Sequence, residues 1–448
     1  MMSLSVFETS PGGNRLSPVA APQFQPGLEN WYKGPAIVVE PRVRYQTWLG
    51  FGGAFTESAG WALGHLDDDA QDEVLRRYFH PTEGLGYRFG RTHINSCDFS
   101  LGNWACAPVP DDVQLKHFSL ERTHAHITPM IRRALAIDGA SFDLLASPWS
   151  PPAWMKTNGE MNHGGSLKPE FRDVWARFYV RWIKEMQAVG VDTWGLTVQN
   201  EPAAVQVWDS CVYSASEERD FVRDHLGPAL HAAGLESVKL VIWDHNREIA
   251  FERASKVLSD PAAAKFVWGT GLHWYSGDWF DQVEQLHRAF PDHHILFTEG
   301  CWEGGVKLGQ YDRGVRYAQQ IIGDMNHFCE GWIDWNLILD QNGGPNHVGN
   351  FCDAPVIIDT NTRQVHYQTS YFYIGHFSRF IQRGAQRIGR SYVGGSLKST
   401  AFVNPDGSVV LVVLNPEPEA VTFRVLSSDG GFEMTIPGDS IQTWLIEW

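Results

Sequence analysis

The chain has 448 residues, 43% hydrophobic and 20% charged, and its 52 acidic against 36 basic side chains leave a formal charge of −16. That composition predicts a soluble globular protein, long enough for a barrel-sized domain and a smaller one, and excludes a disordered chain. No Lys/Arg-rich block is present to meet phosphates, which argues against nucleic acid or an anionic membrane as partner and points to an uncharged ligand.

The opening stretch MMSLSVFETSPGGNRLSPVA has no basic segment followed by an unbroken apolar run, so a cytoplasmic protein without a secretory leader is expected. No run is long enough to span a bilayer, and no stable membrane insertion is expected. Within the N-terminal segment, Ser3–Glu8 and Ile37–Val39 read as short strands, too little to fold alone. From there, apolar runs alternate with amphipathic segments. Strands are predicted at Trp48–Phe55, Tyr87–His93, Phe142–Ser147, Thr193–Gln199, Leu240–Trp243, Gly269–Trp274, Ile295–Glu299 and Gly331–Leu337. Helices are predicted between them at Asp68–Phe79, Thr123–Ile137, Phe171–Val189, Ser216–Ala232, Trp279–Phe290 and Arg313–Met325. In the third, Val174, Phe178, Ile183 and Met186 recur at helical spacing.

Eight strand–helix repeats favour a closed (β/α)8 barrel over an open sheet. After a helix near Tyr371–Phe380, the tail reads as strands at Leu397–Val403, Ser408–Asn415, Val421–Val425, Phe432–Ile436 and Thr443–Trp448, with Asn404–Gly407 as a turn. The expected organisation is therefore α/β: N-terminal strands in residues 1–44, a (β/α)8 TIM barrel over 45–380, and an antiparallel β-sandwich over 381–448 that also takes in the N-terminal strands.

Active residues of such barrels stand at the C-terminal ends of strands. Strand four leads into Thr197-Val198-Gln199-Asn200-Glu201-Pro202, and strand seven into Phe297-Thr298-Glu299-Gly300. In each, an apolar strand delivers a glutamate and then a strand-stopping residue, which is not the setting of a solvated surface charge. Two carboxyls facing each other across a barrel mouth suit glycoside hydrolysis, in which one protonates the leaving oxygen while the other attacks the anomeric carbon or directs a water to it. Structural hydrogen bonding and cation binding are the alternatives. The 19 tryptophans supply flat apolar faces with an N–H donor, suited to stacking on sugar rings.

The stretches GFGGAFTESAGW, RTHINSCDFSLGNWA, SPWSPPAWMKTNG, TVQNEP, LHWY, FTEG, DWNLILDQNGGPN and YFYIGHFSRFIQRGAQRI occur in this order over nearly the whole chain. They resemble glycoside hydrolase family 30, the family of glucosylceramidases and related β-glycosidases, whose fold is a (β/α)8 barrel joined to a β-sandwich. The resemblance implies Glu201 as general acid/base, Glu299 as nucleophile, and retention through a covalent glycosyl-enzyme. It also implies Asn200 on the sugar 2-hydroxyl, Asp98 and Trp149 on the far hydroxyls, Tyr275 holding the nucleophile, and Trp335 under the ring, with His273 and Asn336 beside them. Arg91, at the end of strand two, is expected to donate to Glu299. The charge on Glu299 is expected to raise the pKa of Glu201 until the covalent bond removes that charge. Trp154, Trp208 and Trp302 are candidates for the rim.

Other signals carry less. The glycine-rich Gly50–Phe55 has no Lys-Ser/Thr after it and opens no helix as G-x-G-x-x-G, so it is not a phosphate loop; its glycines are expected to give the backbone a tight exit beneath the sugar pocket. Asp67–Asp69 reads as a helix cap and first turn. His124/His126 and His293/His294 lack a third ligand at metal spacing, and neither metal nor other cofactor is assigned. Six scattered cysteines are expected as free thiols. The expected function is a retaining β-glycoside hydrolase acting on β-glucosides or oligosaccharides. An endo-β-1,6-glucanase or β-xylosidase of the same family, and a non-catalytic carbohydrate-binding barrel, are the alternatives.

Overall fold

A computed structural model of the chain describes residues 3–28 and 34–447. It divides into two compact units, one of Met1–Gly50, Lys307–Gly331 and Tyr367–Trp448, the other of Phe51–Val306 and Trp332–His366. The helices Tyr311–Asn326 and Thr369–Ser378 fall in the first of these, inside the stretch expected for the barrel.

The barrel strands are Gly50–Phe55, Phe89–Ile94, Asp143–Pro148, Gly195–Thr197, Lys239–Asn246, Val267–His273, His294–Glu299 and Gly331–Asn336, closed in chain order. Neighbouring strands run parallel. Strands covered on both faces are mostly apolar, which is why these runs are readable in the sequence. Strand five runs past its expected end. It was expected to end at Trp243 but continues through Asp244, His245 and Asn246. Two titratable residues there look like the end of a core strand, yet Asp244 is fully buried because Arg91 and His273 pair with it.

The ends of strands five and seven are bulged. Gly271 pairs with Trp243 and Leu272 with His245, so Asp244 is an extra residue, and it has φ +48°. Likewise Leu272 pairs with Phe297 and His273 with Glu299, leaving Thr298 extra. A bulge re-aims the side chain it displaces. Here the two displaced residues meet, with Thr298 Oγ1 donating to Asp244 Oδ1 over 2.6 Å.

Gly50–Phe55 is the first strand itself, buried along its whole length. A Cβ on Gly52 would collide with the Phe89 carbonyl oxygen, and one on Gly53 would lie 2.5 Å from Leu337 Cδ2. These glycines admit the neighbouring strand and a core side chain, which corrects the expectation of a tight exit beneath the pocket. The predicted helix Ser216–Ala232 is three pieces, Ala215–Phe221, a π-helical Val222–Leu226 and Gly227–Ala232. Pro228 has no N–H to give the carbonyl four residues earlier, and the widened turn precedes it.

In the first unit ten strands form one sheet drawn from both ends of the chain. Ser3–Thr9 lies antiparallel to Ser440–Glu447, with Ser3 opposite Glu447 and Thr9 opposite Ile441. Ala36–Thr47, much longer than the three residues expected, sits between Gln386–Val393 and Val421–Ser427. Its Ile37 and Val39 share a core with Leu411, Phe423 and Trp444. Trp448, expected to end the last strand, lies outside the described residues. All six cysteines are free and buried. Among the described residues no helix is long and apolar enough to cross a membrane.

Candidate active site

Glu201 follows the short strand four in a left-handed backbone conformation, φ +47°, and its N–H donates to the Asp244 carbonyl over 3.0 Å. Glu299 is the last residue of strand seven. Both carboxylates reach one cavity at the C-terminal end of the barrel, and an oxygen of each lies within 4.8 Å of the other. A pair this close belongs with carboxyl separations of about 5 to 5.5 Å, which allow direct attack, rather than the roughly 6.5 to 9.5 Å that accommodates an attacking water.

Glu299 is held by two donors, Arg91 Nη1 at 2.5 Å and the Tyr275 hydroxyl at 3.0 Å. Arg91 is completely buried and also donates through Nη2 to Asn200 Oδ1 and to Asp244 Oδ2, both at 2.9 Å. Because the Asn200 oxygen is occupied by the guanidinium, its amide nitrogen is the group left for the cavity. The same guanidinium lies over the rings of Trp149 and Trp335 at 4.9 and 5.4 Å, and these indoles stack on each other with centroids 5.1 Å apart. One cation thus orients Glu299, the neighbouring amide and both aromatic walls.

A second relay serves Glu201. His273 Nδ1 lies 3.1 Å from Glu201 Oε1, and its Nε2 lies 3.0 Å from Asp244 Oδ1. With a carboxylate on each ring nitrogen, the imidazolium is favoured. Burial opposes its charge, but Glu299 and the hydrogen bonds to Asp244 and Glu201 outweigh burial and raise its pKa to about 9. A doubly protonated ring has no lone pair for a metal. The Glu201–His273–Glu299 cluster, whose spacing alone would allow a cation, is therefore poorly suited to one, and Arg91 already supplies positive charge to Glu299.

Electrostatics differ from the sequence-based expectation at Glu201. Burial raises the Glu201 carboxyl, but His245 and His273 outweigh it and bring it below the ordinary value. For Glu299 burial prevails over His273 and Arg91, so its carboxyl is raised. The histidines, rather than the Glu299 charge, dominate Glu201. The His273 shift has a consequence for stability. Since the folded pKa of about 9 exceeds the ordinary 6.5, the stabilisation is complete below pH 6.5 and is lost as pH rises toward 9. The expected slope is about 1.4 kcal/mol per pH unit. His273→Gln should flatten that slope in urea melts taken between pH 6.5 and 9; an unchanged slope would assign the titration elsewhere.

Asp98 stands across the cavity, its carboxyl raised to about 7 by burial and by the Glu299 charge against hydrogen bonds from Asn346 and Asn350. Of the expected sugar contacts, Asp98, Trp149, Asn200, Tyr275 and Trp335 line the cavity. Arg91, His273 and Asn336 do not. The first two lie behind the carboxylates, and Asn336 is turned away, its Oδ1 accepting from Thr56 Oγ1 at 2.6 Å. Trp208 lines the cavity as a rim residue, whereas Trp154 donates to the Ala107 carbonyl and borders a separate groove.

Residues 48–381 match the profile of the glycosyl hydrolase family 30 TIM-barrel domain, and residues 384–444 that of the family 30 β-sandwich domain. The chain belongs to glycosyl hydrolase family 30. It is similar to the lysosomal acid glucosylceramidase of Mus musculus, at 37% identity over 432 residues, covering 92% of this chain and 83% of that protein. It is also similar to the endo-1,6-β-D-glucanase of Neurospora crassa, at 27% identity over 459 residues, covering 97% and 93%. Among solved structures, SrfJ from Salmonella typhimurium superposes with a TM-score of 0.94 at 36% identity, covering 99% of each chain. As a family 30 enzyme the chain is a glycoside hydrolase, and its substrate is a glycoside.

Sequence reasoning missed Asp244, His245, Asn246 and Glu303, which line or support the cavity. The first three were findable. They end strand five as Glu299 ends strand seven, and the strand-end rule fails only because the strand was taken to stop at Trp243. Glu303 comes from a loop, where no periodicity marks which side chain faces inward.

Proposed function

We propose that this family 30 member is a retaining β-glucosidase in which Glu299 is the nucleophile and Glu201 the general acid/base. The observation that carries this reading is the short separation of the two carboxylates, 4.8 Å or less between oxygens, with Arg91 and Tyr275 both donating to Glu299. In the first step a Glu299 oxygen attacks the anomeric carbon as Glu201 protonates the departing oxygen. His273 Nδ1, 3.1 Å from Glu201 Oε1, holds the Glu201 carboxyl in place for that transfer. In the second step Glu201 takes a proton from the incoming water, which displaces Glu299 and releases the sugar with its configuration retained. Asn200 offers its amide N–H to the 2-hydroxyl, Trp335 underlies the ring, and Asp98 with Trp149 takes the far hydroxyls.

Around Glu201 the cavity is lined by Gln206, Trp208, His245, Asn246 and Glu303. These polar groups beside one indole suit a sugar or short polar leaving group. A second reading, a lipid-linked glucoside, is favoured by the exposed Val205 and Val207 that flank Gln206, 67% and 56% exposed. Turnover of a short β-linked glucose oligosaccharide against glucosylceramide in detergent separates the two.

The catalytic reading is tested with a 2-deoxy-2-fluoro-β-glucosyl donor bearing a good leaving group. The fluorine slows both steps, so the protein should gain the mass of one fluoroglucosyl unit, mapped to the peptide containing Glu299. An adduct elsewhere, or none with glucosyl or xylosyl donors, would overturn the assignment.

A further inference from the structure

Asp98 is itself positioned by a loop that reaches it from the far end of the barrel sequence. Asn346 Nδ2 donates to Asp98 Oδ2 at 3.0 Å, Asn350 Nδ2 approaches the same oxygen at 3.4 Å, and the His347 N–H donates to the Asp98 carbonyl at 3.0 Å. Asn346 Oδ1 in turn accepts from the N–H groups of Val348 and Asn350, so the loop is curled around one amide. Oδ1 of Asp98 receives no hydrogen bond from the described residues, and Asp98 borders the cavity.

On its other side the loop reaches a buried carboxylate through His347. His347 Nε2 lies 3.0 Å from Asp209 Oδ2, and the Asp209 side chain is fully buried. Asp209 Oδ1 accepts from Ser96 Oγ at 2.6 Å and from Asn103 Nδ2 at 2.9 Å, both on the segment that carries Asp98. Asp209 thus joins three loops, those after strands two, four and eight. Ser96 and Asn103 are neutral donors. A buried carboxylate is best compensated by a partner that can carry charge, and the ring of His347 is the titratable group in hydrogen-bond contact with it. Asp209 and Asp98 favour that charged form against the burial that opposes it.

We propose that the His347–Asp209 pair is a positioning device for sugar recognition: it locks the Asn346–Asn350 loop in place so that Asp98 Oδ1 faces the hydroxyls of the terminal sugar remote from the cleaved bond. The inference rests on the reading of Asp98 as the carboxylate for those hydroxyls. Neither His347 nor Asp209 touches the sugar. Their effect is transmitted through Asn346 and the His347 backbone, and it should be felt only by substrates that use Asp98.

The test compares kcat and KM of the wild type, His347→Leu, His347→Gln and Asp98→Asn on 4-nitrophenyl β-glucoside and on its 4-deoxy and 6-deoxy analogues. Leucine fills the space without a donor, while the glutamine amide nitrogen reaches the place of Nε2. His347→Leu should lose roughly tenfold in kcat/KM on the parent glucoside, mainly through KM, in line with one charge-assisted hydrogen bond. On the deoxy analogue lacking the hydroxyl held by Asp98, the leucine variant and the wild type should agree within about twofold, and His347→Gln should recover most of the loss. Equal losses on all three substrates, no loss, or indistinguishable leucine and glutamine variants would each overturn the proposal. Should the leucine variant not fold, His347→Asn, polar but too short for Asp209, takes its place. If Asp98→Asn itself costs nothing on the parent glucoside, the reading of Asp98 fails; if it is costly while His347→Leu is not, the positioning device fails alone.

Discussion

Glu299→Gln is expected to lower kcat by about 10⁵-fold on any glucoside, the scale seen when a covalent nucleophile is removed. The amide has the volume of the carboxyl, so the cavity keeps its shape. Two things are lost together. The attacking oxygen no longer carries charge, and half of the amide presents a donor where Arg91 Nη1, 2.5 Å away, is already donating. The loss should fall on kcat for substrates with good and poor leaving groups alike, because no leaving group substitutes for a missing nucleophile. The check is steady-state turnover on an activated aryl glucoside. A loss below about 100-fold would remove Glu299 from the role, since general positioning effects reach that size without covalent chemistry.

Glu201→Ala should behave differently. General acid assistance contributes typically 10² to 10⁴-fold, and its absence matters in proportion to the basicity of the leaving oxygen. On an alkyl or sugar aglycone the variant should lose about 10³ to 10⁴-fold. On a 2,4-dinitrophenyl glucoside, whose leaving group departs without a proton, the first step should be nearly unimpaired and the glycosyl-enzyme should accumulate. Azide, admitted to the space vacated beside His273 and His245, should then restore turnover and yield the β-glucosyl azide. An α-azide would mean inversion at a single centre, and equal losses on both substrates would deny Glu201 a role as acid.

What the sequence by itself determined is the scaffold and the placing of two glutamates at the mouth of the barrel. Strands buried on both faces have to be apolar runs, and a glutamate immediately after such a run, stopped by Pro202 or Gly300, can only emerge at the barrel end where the chemistry is done. Glu201 and Glu299 were legible for that reason, and the tail strands for their alternation and turns. Asp98, Trp149, Asn200, Tyr275 and Trp335 were reached only through the ordered family motifs, because nothing in a single loop tells a ligand-facing aspartate from a cap.

Only the tertiary structure decided how these groups are held. Arg91 was expected on Glu299, but that it also fixes Asn200, Asp244 and two indoles depends on the ends of five other strands closing around it. Asp244 looked like a strand end because a charge in an apolar run is readable as solvent exposure until its buried partners are known. The bulges that turn Asp244 and Thr298 toward each other are offsets between two strands and exist in neither sequence alone. His347 and Asp209 stand 138 positions apart, and no local pattern of spacing or hydropathy links them. Local sequence encodes burial and periodicity, whereas charge compensation in a low-dielectric interior is a property of groups brought together by closure of the barrel.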